Sequence, residues 1–301
     1  NFPTIVYENP ASLVSDLAGQ MRANAVRPEI GAVGAKLLYP DRTIQHGGIV
    51  LGTGGFTYDR FVANRSFCQW DEVLDWSNPP FAKWFQDGRL NAAYNAVDRH
   101  VEAGHGDRVA LYFEGEPGDT EEYTYARLKD EVCRAANAFA ELGVGHGDRV
   151  AVYLPMIPQA VITMLACARL GAIHSVIFGG FSADAIHSRV NDGEAKLVVT
   201  ADGSYRRGKP TCLKPTVDAA LAKGAPSVEH VLVVRRNGEE IEWTEQRDVW
   251  WHDVVDRASA EHTPQPHGAE DPLFILYTSG TTGKPKGILH TTGGYLTQAA
   301  Y

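Results

Sequence analysis

Leu273-Phe274-Ile275-Leu276-Tyr277-Thr278-Ser279-Gly280-Thr281-Thr282-Gly283-Lys284-Pro285-Lys286-Gly287 is the stretch from which the rest of the chain is best read. Its first five residues are a short apolar run behind Pro272, the pattern of a buried strand. Next comes a run of hydroxyls and glycines with Lys284 and Lys286 set about a proline. Glycine lets backbone approach a guest closely, because it carries no side chain and tolerates positive φ. Hydroxyls and amides supply donors and the lysines supply charge, so a polyphosphate suits this loop. It is not a P-loop, which needs Gly-x4-Gly-Lys-Ser/Thr; here Gly283-Lys284 is followed by Pro285. Beyond Gly287, the segment Gly293 to Ala300 predicts a helix start. Strand, loop and helix in that order form an anion-binding layout.

Upstream, from about Asn91, helical and strand patterns alternate. Asn91 to Ala103 predicts a helix and Arg108 to Phe113 a strand. Thr124 is placed to cap a helix whose Leu128, Val132, Ala135, Phe139 and Leu142 share one face, ended by Gly143 and Gly145. Arg149 to Leu154 predicts a strand and Ile157 to Leu170 a buried helix. Further strands are expected at Ile173 to Phe178, Lys196 to Thr200 and His230 to Val234. Helices are expected at Ser182 to Asn191 and Leu213 to Lys223. Glu239 to Asp248 is acidic and predicts a solvated loop or hairpin. The alternation implies an α/β fold, a mostly parallel sheet flanked by helices. Residues 1–65 break the rhythm, with a helix expected over Pro10 to Asn24 and strands over Ile30 to Tyr39 and Ile44 to Leu51.

Composition narrows the function classes. The 301 residues are 44% hydrophobic and 22% charged, ordinary for a globular protein with ample core. Lys+Arg 28 against Asp+Glu 37 gives a net charge of −9, which argues against a general nucleic-acid binder. No apolar run has the length of a membrane span, and the start has no signal-peptide pattern, so a cytoplasmic protein without a membrane partner is expected. Cys68, Cys133, Cys167 and Cys212 are scattered as reduced thiols would be, and the eleven histidines show no ligand spacing, so no protein-built metal site is expected.

The loop Tyr277 to Gly287 is similar to the phosphate-binding motif of the adenylate-forming enzymes. From near Trp70 the chain resembles the AMP-forming acetyl-CoA synthetases, through Val73-Leu74-Asp75-Trp76-Ser77-Asn78-Pro79-Pro80-Phe81-Ala82-Lys83-Trp84-Phe85, Asn91-Ala92-Ala93-Tyr94-Asn95 and Asp98-Arg99-His100. By themselves Trp76, Phe81, Trp84 and Phe85 read as packing residues of an N-terminal arm. Residues 31–55, with Gly31 to Asp41 and Gln45-His46-Gly47-Gly48, resemble part of a family 2 glycosyltransferase, but 1–65 lack the Asp-x-Asp that such chemistry uses. The expected division is therefore 1–65, a glycosyltransferase-like remnant or fused segment, and 66–301, the N-terminal part of an acyl-CoA synthetase domain.

The synthetase resemblance implies ATP with Mg2+, coenzyme A and acetate as small-molecule ligands, and leaves the oligomeric state open. It implies that Thr278, Ser279, Gly280, Thr281, Thr282, Gly283, Lys284, Lys286 and Gly287 hold the ATP phosphates. It places coenzyme A at Phe178, Gly179 and Gly180 and at Arg206, Arg207, Gly208 and Lys209. The family pattern at the second stretch is commonly Arg-Gly-Gly-Arg. Here Arg206 matches, Arg207 replaces a glycine, and Lys209 keeps charge without arginine's fork. The family's catalytic lysine is expected beyond Tyr301, so the chain alone is expected to be inactive. A non-catalytic nucleotide- or CoA-binding fragment, and more remotely a glycosyltransferase-related protein, are the alternatives.

Overall fold

The computed structural model describes residues 30–33, 37–38, 44–46, 50–52, 72–78, 81–278 and 285–299. The helix expected over Pro10 to Asn24 and the loop residues Ser279, Gly280, Thr281, Thr282, Gly283 and Lys284 lie outside these. The chain divides into two compact units, one of residues 1–90, 268–270 and 292–301, the other of 91–267 and 271–291.

In the first unit, β1 (Ile30–Val33) pairs antiparallel with β4 (Val50–Gly52), and β2 (Leu37–Leu38) with β3 (Ile44–His46). Apart from Gly52, these strands fall within the two expected over Ile30 to Tyr39 and Ile44 to Leu51, whose intervening residues 34–36 and 47–49 lie outside the described ones. Next come β5 (Glu72–Asn78) and β6 (Phe81–Gln86), an antiparallel pair in which Phe85 is buried, and the short β7 (Arg89–Leu90). The aromatic segment therefore forms a hairpin.

The second unit opens with a helical stretch over 92–105 that contains π-helical turns at Tyr94–Asp98 and Val101–His105. β8 (Val109–Glu114) pairs with β9 (Thr120–Thr124), a strand that the alternating pattern does not suggest. Helix α1 (Tyr125–Glu141) begins where expected, with the Thr124 side chain accepting from Arg127 N at 3.2 Å, and it buries Leu128, Val132, Ala135 and Phe139.

The strands β10 (Arg149–Tyr153), β11 (Ile173–Val176), β12 (Leu197–Ala201), β15 (His230–Val234), β16 (Asp248–Trp250), β18 (Pro272–Thr278) and β19 (Lys286–Thr291) make one seven-stranded sheet in the order β16-β15-β12-β10-β11-β18-β19. All neighbours are parallel except β18 with β19. The crossover through α2 (Pro158–Leu170) steps from β10 to β11 in one direction. The next, through α3 (Ala183–Asp192), steps back to the other side of β10. Right-handed crossovers of opposite direction put their helices on opposite sheet faces. Accordingly α2 packs with α1, while α3 packs with α4 (Lys214–Leu221). The central strands β10, β12 and β15 are buried almost end to end, as strands covered on both faces must be. Two smaller pieces complete the order: the hairpin β13 (Gly203–Arg206) with β14 (Lys209–Cys212), and β17 (His267–Gly268). Short α5 (Trp251–Val254) follows β16, and α6 (Thr292–Ala299) belongs to the first unit.

Three expectations need correction. Glu239 to Asp248 is not all solvated. Asp248 has no exposed side chain and pairs with fully buried Lys214 at 2.7 Å, while Arg247 closes on it at 2.6 Å. β18 is not a buried strand: Leu273 is buried, but Leu276 is 47% exposed, because only the edge strand β19 lies beyond it. Finally, the helix α6 does not follow the glycine loop directly. Lys286–Thr291 forms β19 first, pairing Leu276 with Ile288 and Thr278 with Lys286, so the loop joins two paired strands and does not lead into a helix N-terminus.

Candidate functional site

Parallel strands end together, so the loops after β10, β11, β12, β15 and β18 gather at the sheet's carboxyl edge. The reversal of strand order about β10 makes this edge a crevice of the kind where α/β proteins bind ligands. The segment Phe178-Gly179-Gly180-Phe181 lies there, after β11. Phe178 is 65% exposed and meets Phe181 edge to face at 5.7 Å. The Tyr153 hydroxyl, at the end of β10, lies 3.0 Å from Phe181 O and 3.2 Å from Gly179 O, fixing the turn from below. Gly179 lies close against backbone, and Gly180 lies against the ring of exposed Phe178. A Cβ on Gly179 would stand 3.2 Å from Leu154 O, and one on Gly180 would stand 2.7 Å from Phe178 and 3.4 Å from Arg206 Nη1. The last distance brings together two stretches that the sequence holds twenty-odd residues apart.

Arg206 ends β13, and the turn Arg207-Gly208 has φ of 53° and 73° at its two positions. Two positive φ values at a two-residue hairpin turn are the type I′ geometry, which favours glycine. That explains a glycine at the Arg207 position in the family pattern; here an arginine takes the strained conformation. Arg206, Arg207, Lys209, Pro210 and Thr211 line an open pocket of about 530 Å³. Glu116 accepts from Gly208 N on the outer side of the turn.

The hairpin is anchored by groups that no local motif signals. Asp202 is buried at its base, and Oδ1 accepts from Gly203 N and Arg236 N, each at 2.7 Å, and from Asn237 N at 3.3 Å. Oδ2 accepts from Gly238 N at 2.9 Å. The Asn237 amide then donates to Ser204 O and Thr211 O, one on each hairpin strand. Arg236, paired with Asp119, lies 5.2 Å over the Tyr205 ring.

Thr278, Lys286 and Gly287, expected to hold phosphate, stand at the facing ends of β18 and β19. Thr278 and Lys286 pair directly, so the loop leaves and re-enters the sheet at this same edge. Tyr277, just before it, donates to Asp192 at 2.6 Å; burial and this carboxylate push its hydroxyl pKa upward. The buried Arg189 guanidinium sits 4.7 Å over the Phe181 ring and 5.3 Å over the Tyr277 ring. One cation on α3 thus bridges the Phe178–Phe181 turn and the strand that precedes the glycine–hydroxyl stretch. Nothing in the sequence around Arg189 marks it for that place.

Residues 97–301 match the family of AMP-binding enzymes. The chain belongs to this family. Residues 65–96 match the acetyl-coenzyme A synthetase N-terminus. It is 73% identical over 230 residues to an acetyl-coenzyme A synthetase of Streptomyces avermitilis, covering 76% of this chain and 35% of that protein. It is 69% identical over 230 residues to the Streptomyces coelicolor protein of that name, with the same coverage. For the Mycobacterium tuberculosis protein the identity is 66% over 232 residues, 76% of this chain and 36% of the relative. The chain thus spans about a third of the length of these curated relatives. Both family matches begin at or after residue 65, and the resemblance of residues 31–55 to glycosyltransferases gains no support from them. Among the described residues no helix is long and apolar enough to cross a membrane.

Proposed function

We propose that this chain carries the front portion of an acetate–CoA ligase of the AMP-forming kind, acting in the cytoplasm. The observation that carries the proposal is the identity of 57% to 73% to proteins named acetyl-coenzyme A synthetase. The start of the match at residue 65 supports reading 1–65 as a separate segment.

In the proposed reaction an acetate oxygen attacks the α-phosphorus of ATP, which enters with Mg2+, and pyrophosphate leaves. The coenzyme A thiol then takes the acetyl group and AMP departs. Hydroxyls and amides of Thr278 to Gly283 donate to the β- and γ-phosphates, and Lys284 and Lys286 offset their charge beside Gly287. Arg206 and Lys209 grip the phosphates of coenzyme A, while exposed Phe178 offers a face for its adenine. Gly179 and Gly180 let that ligand approach the backbone.

The test uses a full-length protein. Arg206→Ala removes a charge-assisted contact worth about 1.5–3 kcal/mol, so the KM for coenzyme A rises roughly 10- to 100-fold. Acetate-dependent ATP–pyrophosphate exchange stays near wild type. Loss of exchange in that variant would show that the hairpin serves ATP or folding instead.

A further inference from the structure

We propose that His146, His267 and Asp271 form a binding site for a zinc-type transition-metal dication at the amino edge of the sheet. Their donor atoms all lie within 4.8 Å of one another. His146 Nε2 and Asp271 Oδ2 are already 3.3 Å apart. Two ligands of a tetrahedral zinc with bonds of about 2.0–2.2 Å stand about 3.4 Å apart. His146, with 60% of its side chain exposed, has room to rotate and complete the set.

Two further features favour a ligand set over a chance contact. His267 is buried and its Nε2 faces Arg169 O at 3.3 Å. The tautomer that donates to this carbonyl carries its lone pair on Nδ1, the second-sphere arrangement that orients metal-binding imidazoles. The imidazoles of His146 and His267 converge, at 5.3 Å between centroids, over Gly171. Gly171 is the left-handed C-cap of α2 with φ of 72°, and a Cβ there would also stand 2.5 Å from each ring and push them apart.

The placement gives the site its role. His146 precedes β10, Gly171 precedes β11 and Asp271 precedes β18, three strands adjacent in the sheet. A metal there ties their starts together, at the end of the sheet opposite Phe178 and Thr278. Two imidazoles and one carboxylate, with water in the fourth position, suit zinc and its late first-row neighbours and not Mg2+ or Ca2+, which take all-oxygen sets.

The full chain, free of any affinity tag, is titrated with Zn2+ by calorimetry and with Co2+ by visible absorption. One equivalent binds, Co2+ develops ligand-field bands, and Zn2+ raises the thermal transition. His146→Ala and Asp271→Asn each weaken Zn2+ binding about tenfold or more and abolish the thermal gain. Circular dichroism of the metal-free His146→Ala protein, whose altered side chain is exposed, remains that of the wild type. Absence of a stoichiometric site in the wild type, or wild-type affinity in His146→Ala, would overturn the proposal.

Discussion

Replacing Asp202 by alanine should unseat the cationic hairpin, and the hydrogen-bond geometry sets how strongly. The carboxylate takes four backbone N–H groups, those of Gly203, Arg236, Asn237 and Gly238. Of these, the Gly203 bond is fully buried and the others are part-buried. A buried amide left without an acceptor costs about 2 kcal/mol, and one that water can reach costs about 1 kcal/mol. Asp202→Ala should therefore lower the unfolding free energy by about 4–5 kcal/mol. Asp202→Asn keeps the Oδ1 side but turns an amide toward Gly238 N, so it should cost only about 1–2 kcal/mol. Urea unfolding followed by tryptophan fluorescence measures both. Amide exchange provides the local readout: protection should fall in β13, β14 and residues 236–238 and remain in α1. A loss below about 1.5 kcal/mol for the alanine variant, or exchange that rises evenly over the chain, would refute the anchoring argument.

Arg207→Gly should be neutral or stabilise the hairpin by up to about 1 kcal/mol, since the arginine holds a φ of 53°; urea unfolding checks this, and a loss would mean that its side chain contributes more than its backbone costs. Burial pushes the His174 imidazole down to about 4, against the ordinary 6.5, so the fold holds it neutral. The unfolded chain then binds the proton first. Stability is full above about pH 6.5 and falls by about 3 kcal/mol on acidification to about pH 4, and His174→Phe should flatten that part of the pH profile. Arg169 and Asp98 form a bidentate pair at 2.7 and 3.0 Å with almost no exposure. Arg169→Met strands a buried carboxylate and should cost about 3–5 kcal/mol; adding Asp98→Asn should recover part of it in a double-mutant cycle.

Much of the fold is legible because period and punctuation are local. Thr124 before the amphipathic run to Phe139, the largely apolar β12 and β15, and the buried helix α2 follow from side-chain spacing and capping alone. β9 and β19 are not legible in this way. Thr120–Thr124 is polar and exposed but for buried Tyr123 and partly buried Thr124, and Ile288-Leu289 is a short apolar pair, so neither shows a strand period; each becomes a strand only by pairing with the strand before it.

The sequence alone determined the family resemblance, the glycine–hydroxyl run after Tyr277 and the cationic stretch at Arg206, because each is a contiguous run whose chemistry lies in its residue types. Only the tertiary structure placed Gly180 against Arg206, set Arg189 between Phe181 and Tyr277, gave Asp202 its four amides and drew His146 to His267 and Asp271. Those contacts join residues far apart in the chain. They arise from strand order, which depends on which apolar faces bury one another best across the whole sheet.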